Sequence, residues 1–174
     1  MTRAKSRFFS ILSACAILSA VLVGGCGRKN SFDGAYRVTV DYSRTLPEMI
    51  AAGRYDWMDS SITSERFPAK KSGKEEIKLE LVRLNKAAST GEVLRYLEER
   101  GLRPATLSEL LAFGVKFPEG RSKYLIAALG SVWKDDGGNL HATFLYRYHA
   151  KRGIFPHWYE YDWDDGWQFL VVRK

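Results

Sequence analysis

The two cysteines of this 174-residue chain restrict most strongly what it can fold into. Cys15 lies inside an N-terminal apolar stretch, and Cys26 follows that stretch. Because the sequence has no cysteine after Cys26, disulfides, thiol catalysis and cysteine–metal sites are excluded from the rest of the chain. That part must therefore be stabilised by a hydrophobic core of its own.

The segment before Cys26 has the three parts of a secretory signal peptide: a basic start, an apolar stretch and small residues before the cleavage site. These parts are Arg3, Lys5 and Arg7, then 8–23, then Gly24 and Gly25. An uncleaved anchor usually needs about 20 apolar residues, which is more than 8–23 provides. We predict a signal peptide at 1–25, a lipidated N-terminus and tether at 26–34, and one domain at 35–174.

Val23-Gly24-Gly25-Cys26 resembles the lipobox of bacterial lipoproteins. The resemblance implies cleavage before Cys26, acylation of its thiol by palmitate-like chains, and export to the cell envelope. It also implies attachment to a membrane, and Gly27 favours the outer membrane in a Gram-negative cell by the lipoprotein sorting rule. An ordinary secreted form and an uncleaved anchor are the alternatives.

The length and the net charge further restrict the domain number and the kinds of partner that we expect. Removal of 1–25 leaves about 149 residues, which is enough for one domain without a metal or disulfide staple. It also lowers the formal charge from +7 to about +4. This surplus suits a protein beside an anionic bilayer and does not indicate nucleic acid as a partner.

Alternating apolar residues, and one largely apolar run at 124–133, predict strands along much of the chain. The predicted strands are 36–42, 77–82, 124–133, 140–148 and 167–172. The sequence Asp135-Asp136-Gly137-Gly138 predicts a hairpin turn. Inside the apolar run 124–133, Gly130-Ser131 indicates an irregularity or a close backbone approach.

Two capping boxes, at 89–92 and 106–109, mark the best-defined helices. Gly101 and Gly114 are predicted to end these helices, and a shorter helix is predicted over 45–53. The elements predict an α+β fold, in which the helix pair (about 89–114) packs on a mainly antiparallel sheet. We expect one core, formed by Ile77, Leu79, Leu81, Leu94, Leu97, Leu110, Trp133, Phe144, Trp167 and Phe169.

The densest polar cluster is 162–166, with three carboxylates in five residues and aromatic neighbours. Hard cations such as Ca²⁺ take several oxygen ligands, so calcium is the one cofactor considered, although the spacing does not match an EF-hand loop. Aromatic rings beside carboxylates are also common where sugars bind. The alternative, which the pattern favours, is an aspartate-rich turn with aromatic residues in the core. The candidate ligand-binding residues are Trp158, Tyr159, Tyr161, Asp162, Asp164 and Asp165.

The other motifs give weaker indications of function. His141, His149 and His157 have no third zinc ligand at a recognisable spacing, so we predict no metal site and place them at the surface or its rim. The sequence has no nucleophile motif of the Gly-x-Ser-x-Gly kind and no glycine-rich phosphate loop. We therefore predict no catalytic residues.

The segment 103–110 (Arg-Pro-Ala-Thr-Leu-Ser-Glu-Leu) resembles the Arg-Leu-Pro-Thr-x-x-Glu-Trp segment of the sulfatase-modifying-factor branch of the C-type-lectin-like fold. The end of the chain, 169–173, is similar to the last strand of that fold. The resemblance implies a C-type-lectin-like fold, but formylglycine formation needs cysteines that are absent here. Four segments together also look like a recurrent bacterial domain without an assigned activity: 55–57, 103–106, 128–131 and 162–166.

These features predict a lipid-anchored envelope protein that binds a ligand, an envelope glycan or a protein partner without catalysis. The binding surface would be the aromatic and acidic surface near the C-terminus. An envelope glycan hydrolase that uses two of Asp162, Asp164 and Asp165 is one alternative. A purely structural lipoprotein is the other.

Overall fold

Residues 35–68, 70–118 and 123–174 are the part of the chain that the computed structural model describes. These residues form a single α+β domain, with a mixed sheet of eight strands and three helices. In chain order the elements are β1 (Tyr36–Asp41), α1 (Leu46–Gly53), β2 (Trp57–Met58), β3 (Lys74–Val82), α2 (Thr90–Glu98), β4 (Leu102–Pro104), α3 (Leu107–Lys116), β5 (Lys123–Lys134), β6 (Leu140–Tyr148), β7 (Lys151–Trp158) and β8 (Trp167–Arg173). The predicted signal peptide, Cys26 and the tether lie outside the described residues.

The strand order across the sheet is β1-β3-β8-β5-β6-β7-β2, and β4 also pairs with β8. Among the described strands, five pairings are antiparallel, whereas β5 with β8 and β2 with β7 are parallel. The predicted mainly antiparallel sheet is confirmed. The described residues contain no helix that is long and apolar enough to cross a membrane.

The strand β5 bends where β4 enters the sheet. Its pairing with β6 shifts register between Ala128 and Val132. Gly130 lies in this bulge, and its backbone N–H donates to the Ala105 carbonyl at 2.9 Å. A Cβ atom on Gly130 would stand 2.7 Å from that oxygen. This is too close for a carbon–oxygen contact, so glycine is required at this position. The predicted close backbone approach is confirmed.

The sheet carries a core on each face. Successive residues of a strand point to opposite faces, and in β8 Leu170 belongs to one core and Phe169 to the other. Leu110 of α3 packs in the first core, and Leu97 of α2 packs in the second. We call the two sides the α3 face, which also carries α1, and the α2 face.

The prediction of one core is therefore wrong. Leu79 and Leu110 lie in the α3-face core, whereas Leu97, Trp167 and Phe169 lie in the α2-face core. The connection between α2 and α3 explains this. It contains β4, which lies within the sheet, so the chain passes from one face of the sheet to the other between the two helices.

All three predicted helices are present, and the first residues of each form a capping box. Gly101 has φ +64° just after α2, as expected of a glycine that ends a helix. The prediction that Gly114 ends α3 is wrong, because α3 continues to Lys116. A Cβ atom on Gly114 would stand 2.3 Å from the Tyr55 hydroxyl, so this glycine allows Tyr55 to pack against the helix.

Candidate functional site

A cleft of about 540 Å³ opens on the α3 face. The first residues of α1 and α3, the segment around 64–71 and the β5 bulge form its walls. Its apolar lining consists of Leu46, Met49, Phe67, Pro68, Leu107 and Val132, and its basic residues are Arg44, Arg66, Lys70, Lys71 and Arg103. Among the described residues that line it, Glu109 is the one carboxylate.

Glu109 is 1% exposed and accepts four hydrogen bonds. Its Oε1 accepts from Arg103 Nη2 at 2.7 Å and from the Tyr42 hydroxyl at 3.1 Å. Its Oε2 accepts from Arg103 Nη1 at 3.0 Å and from the Thr106 backbone N–H at 2.7 Å. A buried carboxylate with this set of donors is ionised and neutralises Arg103 at the base of the cleft.

The ionisation of these groups follows from their contacts. Burial alone raises the pKa of Glu109, but the hydrogen bonds from Arg103, Thr106 and Tyr42 outweigh it and hold that pKa below its ordinary value. The hydrogen bonds with Glu109 raise the pKa of Arg103. Burial, followed by the charge of Glu109, raises the pKa of the Tyr42 hydroxyl well above its ordinary value. The network therefore holds one negative and one positive charge near neutral pH.

The local sequence explains why these groups meet. Glu109 is the third residue of α3, where its carboxylate caps the backbone N–H of Thr106. The Leu107 N–H donates at 2.9 Å to Oγ of Ser131, which lies in the β5 bulge. Side chains thus accept from the N–H groups of Thr106, Leu107 and Glu109 at the start of α3. The basic side chains that line the cleft give it its positive character.

Those side chains differ in how firmly they are held. The Arg66 guanidinium lies 4.1 Å from the centre of the Trp133 ring, and its Nη1 donates to the Ser61 carbonyl at 3.2 Å. Arg44 pairs with Asp41 at 3.7 Å, and Lys71 pairs with Glu75 at 3.0 Å. These exposed pairs are weak, so they offset the positive charge of the cleft only in part.

The structure exposes some aromatic residues of the surface predicted near the C-terminus and buries others. Trp158 and Tyr161 are 46% and 62% exposed, and their rings lie 6.2 Å apart. Trp163 is 1% exposed, and its Nε1 donates to the Thr90 hydroxyl at 2.8 Å. Thr90 in turn donates to the Tyr159 carbonyl. The exposed rings can meet a partner, whereas Trp163 belongs to the α2-face core.

The three aspartates of this surface are exposed. Asp164 Oδ1 accepts from the Gly166 N–H at 2.7 Å and so closes the turn. The Asp165 carbonyl accepts from Arg83 Nε at 2.9 Å. Among the described residues, no group of three His, Cys, Asp or Glu side chains is placed to hold a metal ion. The arrangement favours the interpretation that 162–166 is an aspartate-rich turn that covers aromatic residues of the core.

One of the histidines is not at the surface. His141 is 9% exposed and lies between Trp133, whose ring centre is 4.7 Å away, and Trp158, at 5.2 Å. Its Nε2 is 2.9 Å from Asp135 Oδ2. The surface prediction is wrong for His141 because the register of β5, β6 and β7 aligns these rings in one row.

Sequence reasoning missed the cleft. Glu109 was identified only as a helix cap, and Arg103 only as part of the segment 103–110 that resembles another fold. The ion pair between them depends on the position of β4 in the sheet. Arg66 comes from a segment that shows no periodic pattern, and its contact with Trp133 depends on the fold.

Comparison with known proteins yields no relative. No family model matches the chain. No curated protein matches it, and no solved structure does. The resemblance to the C-type-lectin-like fold stays a prediction.

Proposed function

We propose that this chain is an exported, lipid-anchored envelope protein that binds an organic anion in the α3-face cleft without catalysing a reaction on it. The resemblance of 23–26 to a lipobox supports the anchor, and Gly27 supports the outer membrane in a Gram-negative cell. One observation carries the ligand class. Five basic side chains surround a cleft whose single lining carboxylate among the described residues, Glu109, is already neutralised by Arg103.

Charge and shape both support an organic anion. An anion in the cleft gains from Arg44, Arg66, Lys70 and Lys71 without displacing the buried pair, and clefts with low-dielectric walls strengthen such attraction. Ligand pockets of this size are mostly apolar with a few placed polar groups. The apolar lining would contact the uncharged part of the ligand.

A titration of the full-length chain in a non-ionic detergent tests the proposal. Hexyl phosphate should bind, and hexanol at the same concentration should bind far more weakly. The double variant Arg44→Gln, Lys70→Gln should lower the affinity for hexyl phosphate on the order of 30-fold, since each exposed charge at close range contributes about 1 kcal/mol. The matched control is Lys78→Gln, an exposed residue of β3 outside the cleft. Equal affinity in all three proteins would remove the proposal.

A second candidate function is binding of an envelope glycan or protein partner at the surface near the C-terminus. The exposed ring pair Trp158 and Tyr161 favours it, because aromatic rings beside polar groups mark many interaction surfaces. A glycan-binding screen with and without Ca²⁺ would test it, with Trp158→Ala against Asp162→Ala. Loss of binding in Trp158→Ala supports this function, and unchanged binding in both variants removes it.

A further inference from the structure

The α3-face cleft has a neighbour. A second groove of about 490 Å³ lies on the same face, between α1, α3 and β1. Arg44, Met49 and Ser108 line both cavities. The cleft and the groove are therefore adjacent, with these three side chains at the boundary between them.

The two cavities differ in chemistry. The groove is lined by Val38, Val40 and Leu111, which are buried at 1% exposed each. Met49, Ala112 and Val115 also line it, and Val115 is 42% exposed. A chain of methylene groups along the groove would bury its own apolar surface and the area that these less buried side chains expose.

Charge sets the direction in which a ligand would lie. Asp41 lines the groove and pairs with Arg44 at 3.7 Å and with Lys74 at 3.6 Å. Lys116 also lines the groove, so the groove has three basic side chains beside the paired Asp41, whereas the cleft has five basic side chains beside the paired Glu109. An anionic headgroup therefore belongs in the cleft, with Arg44 at the boundary.

We propose that the ligand is a single-chain anionic amphiphile, with its headgroup in the cleft and its alkyl chain in the groove. The inference rests on the proposed function, since it takes the cleft as the anion site. The groove is a cavity of about 490 Å³ between two helices and a strand, which favours one inserted chain over a flat bilayer surface. The headgroup is a phosphate or a carboxylate.

A chain-length series of alkyl phosphates, from butyl to octyl, tests this inference on the full-length chain. In the wild type the affinity should rise by up to about fourfold for each added methylene, since a fully buried methylene contributes about 0.8 kcal/mol. Affinities are calculated from the free concentration of each probe, measured by equilibrium dialysis, because longer alkyl phosphates partition more strongly into micelles.

The variant Ala112→Trp should fill the groove. We expect it to remove the gain between butyl and octyl phosphate while leaving the affinity for butyl phosphate unchanged. Ala51→Trp is the matched control, because Ala51 is an exposed residue of α1 that lines neither cavity. If Ala112→Trp does not fold, Val115→Glu replaces it, since a charge at this exposed position also opposes an alkyl chain.

The outcomes separate the two proposals. If butyl and octyl phosphate bind the wild type equally, the inference fails and anion binding in the cleft stands. If Ala112→Trp or Val115→Glu weakens both probes alike, the alkyl chain does not lie in the groove and the inference again fails. If neither probe binds, the proposed function fails as well.

Discussion

The two faces of the sheet place their charged and aromatic groups in opposite ways. On the α3 face the core is mainly aliphatic, and at its edge a single buried carboxylate, Glu109, faces a cleft. On the α2 face the core contains Trp163, Trp167 and Phe169, with Trp163 and Trp167 rings 4.8 Å apart. There the carboxylates lie outside, on the turn that covers this core.

The difference shows that a local density of carboxylates is a poor guide to a site. Three aspartates within 162–166 are exposed, and Asp164 bonds within its own turn. Glu109, alone in its segment, is buried with four donors. Burial of a charge is costly unless it is fully paired, so a buried ionic network marks a place where the fold holds charge in a fixed position.

The largest effect should come from the two cores, which we expect to be equally essential. Leu97 and Leu110 are both 0% exposed, one on each face. Truncation of a buried leucine to alanine typically costs about 2 to 5 kcal/mol, so Leu97→Ala and Leu110→Ala should each lower the free energy of unfolding by that amount in urea titrations. Val115→Ala, an exposed position on α3, should change it by less than about 0.5 kcal/mol. An unchanged midpoint in Leu110→Ala would contradict the packing of α3 on the sheet.

The next effect compares the carboxylates of the two faces. Glu109→Ala leaves Arg103 without its partner, and breaking a buried pair costs about 3 to 5 kcal/mol. We expect about 3 kcal/mol, because the Arg103 side chain is 34% exposed and can gain water. Asp162→Ala on the exposed turn should cost less than about 0.5 kcal/mol. Urea unfolding of both variants at neutral pH measures the two changes in the free energy of unfolding. Similar changes would show that the buried network stabilises the fold no more than an exposed carboxylate does.

We expect the smallest effect from the ionisation of Asp135, which changes the stability of the fold with pH. Hydrogen bonds with His141 and Asn139 lower the pKa of Asp135 to about 2. Since this pKa lies below that of an unfolded chain, about 3.9, the ionised carboxylate stabilises the fold above about pH 4 and loses this contribution as the pH falls towards 2. Asp135→Asn should therefore melt below the wild type at pH 7, and the difference should close between pH 4 and 2.

A matched variant makes the pH test specific. Asp136→Asn changes the next residue of the same turn, which is exposed, and should leave the melting temperature close to that of the wild type at every pH. A gap between wild type and Asp135→Asn that persists at pH 2 would assign the effect to the shape of the side chain and not to its charge.

The sequence predicted those elements whose signals are local. The capping boxes identified where α2 and α3 begin, and the alternation at 140–148 matches β6. The strand β7 was missed because Gly153 and Pro156 are residues that strands disfavour. Its position in the sheet comes from pairing with β6, which no local pattern encodes.

The site was less accessible to sequence reasoning than the fold. Glu109 was found as a helix cap, but its pairing with Arg103 requires β4 to lie against β8. The same pairing separates the two helices onto opposite faces. The aromatic residues near 158–167 all looked alike in sequence, yet the fold buries Trp163 and exposes Tyr161.

The position of β8 has a consequence for how the chain reaches this structure. The last strand in sequence order lies in the interior of the sheet, with β3 on one side and β4 and β5 on the other. Until residues 167–173 are in place, β1–β3 and β5–β6–β7 present unpaired edges, which invite aggregation. Folding must then wait for contacts between distant parts of the chain, and such topologies fold slowly. A nascent chain halted before Trp167 would be a client for chaperones, not a smaller version of the domain.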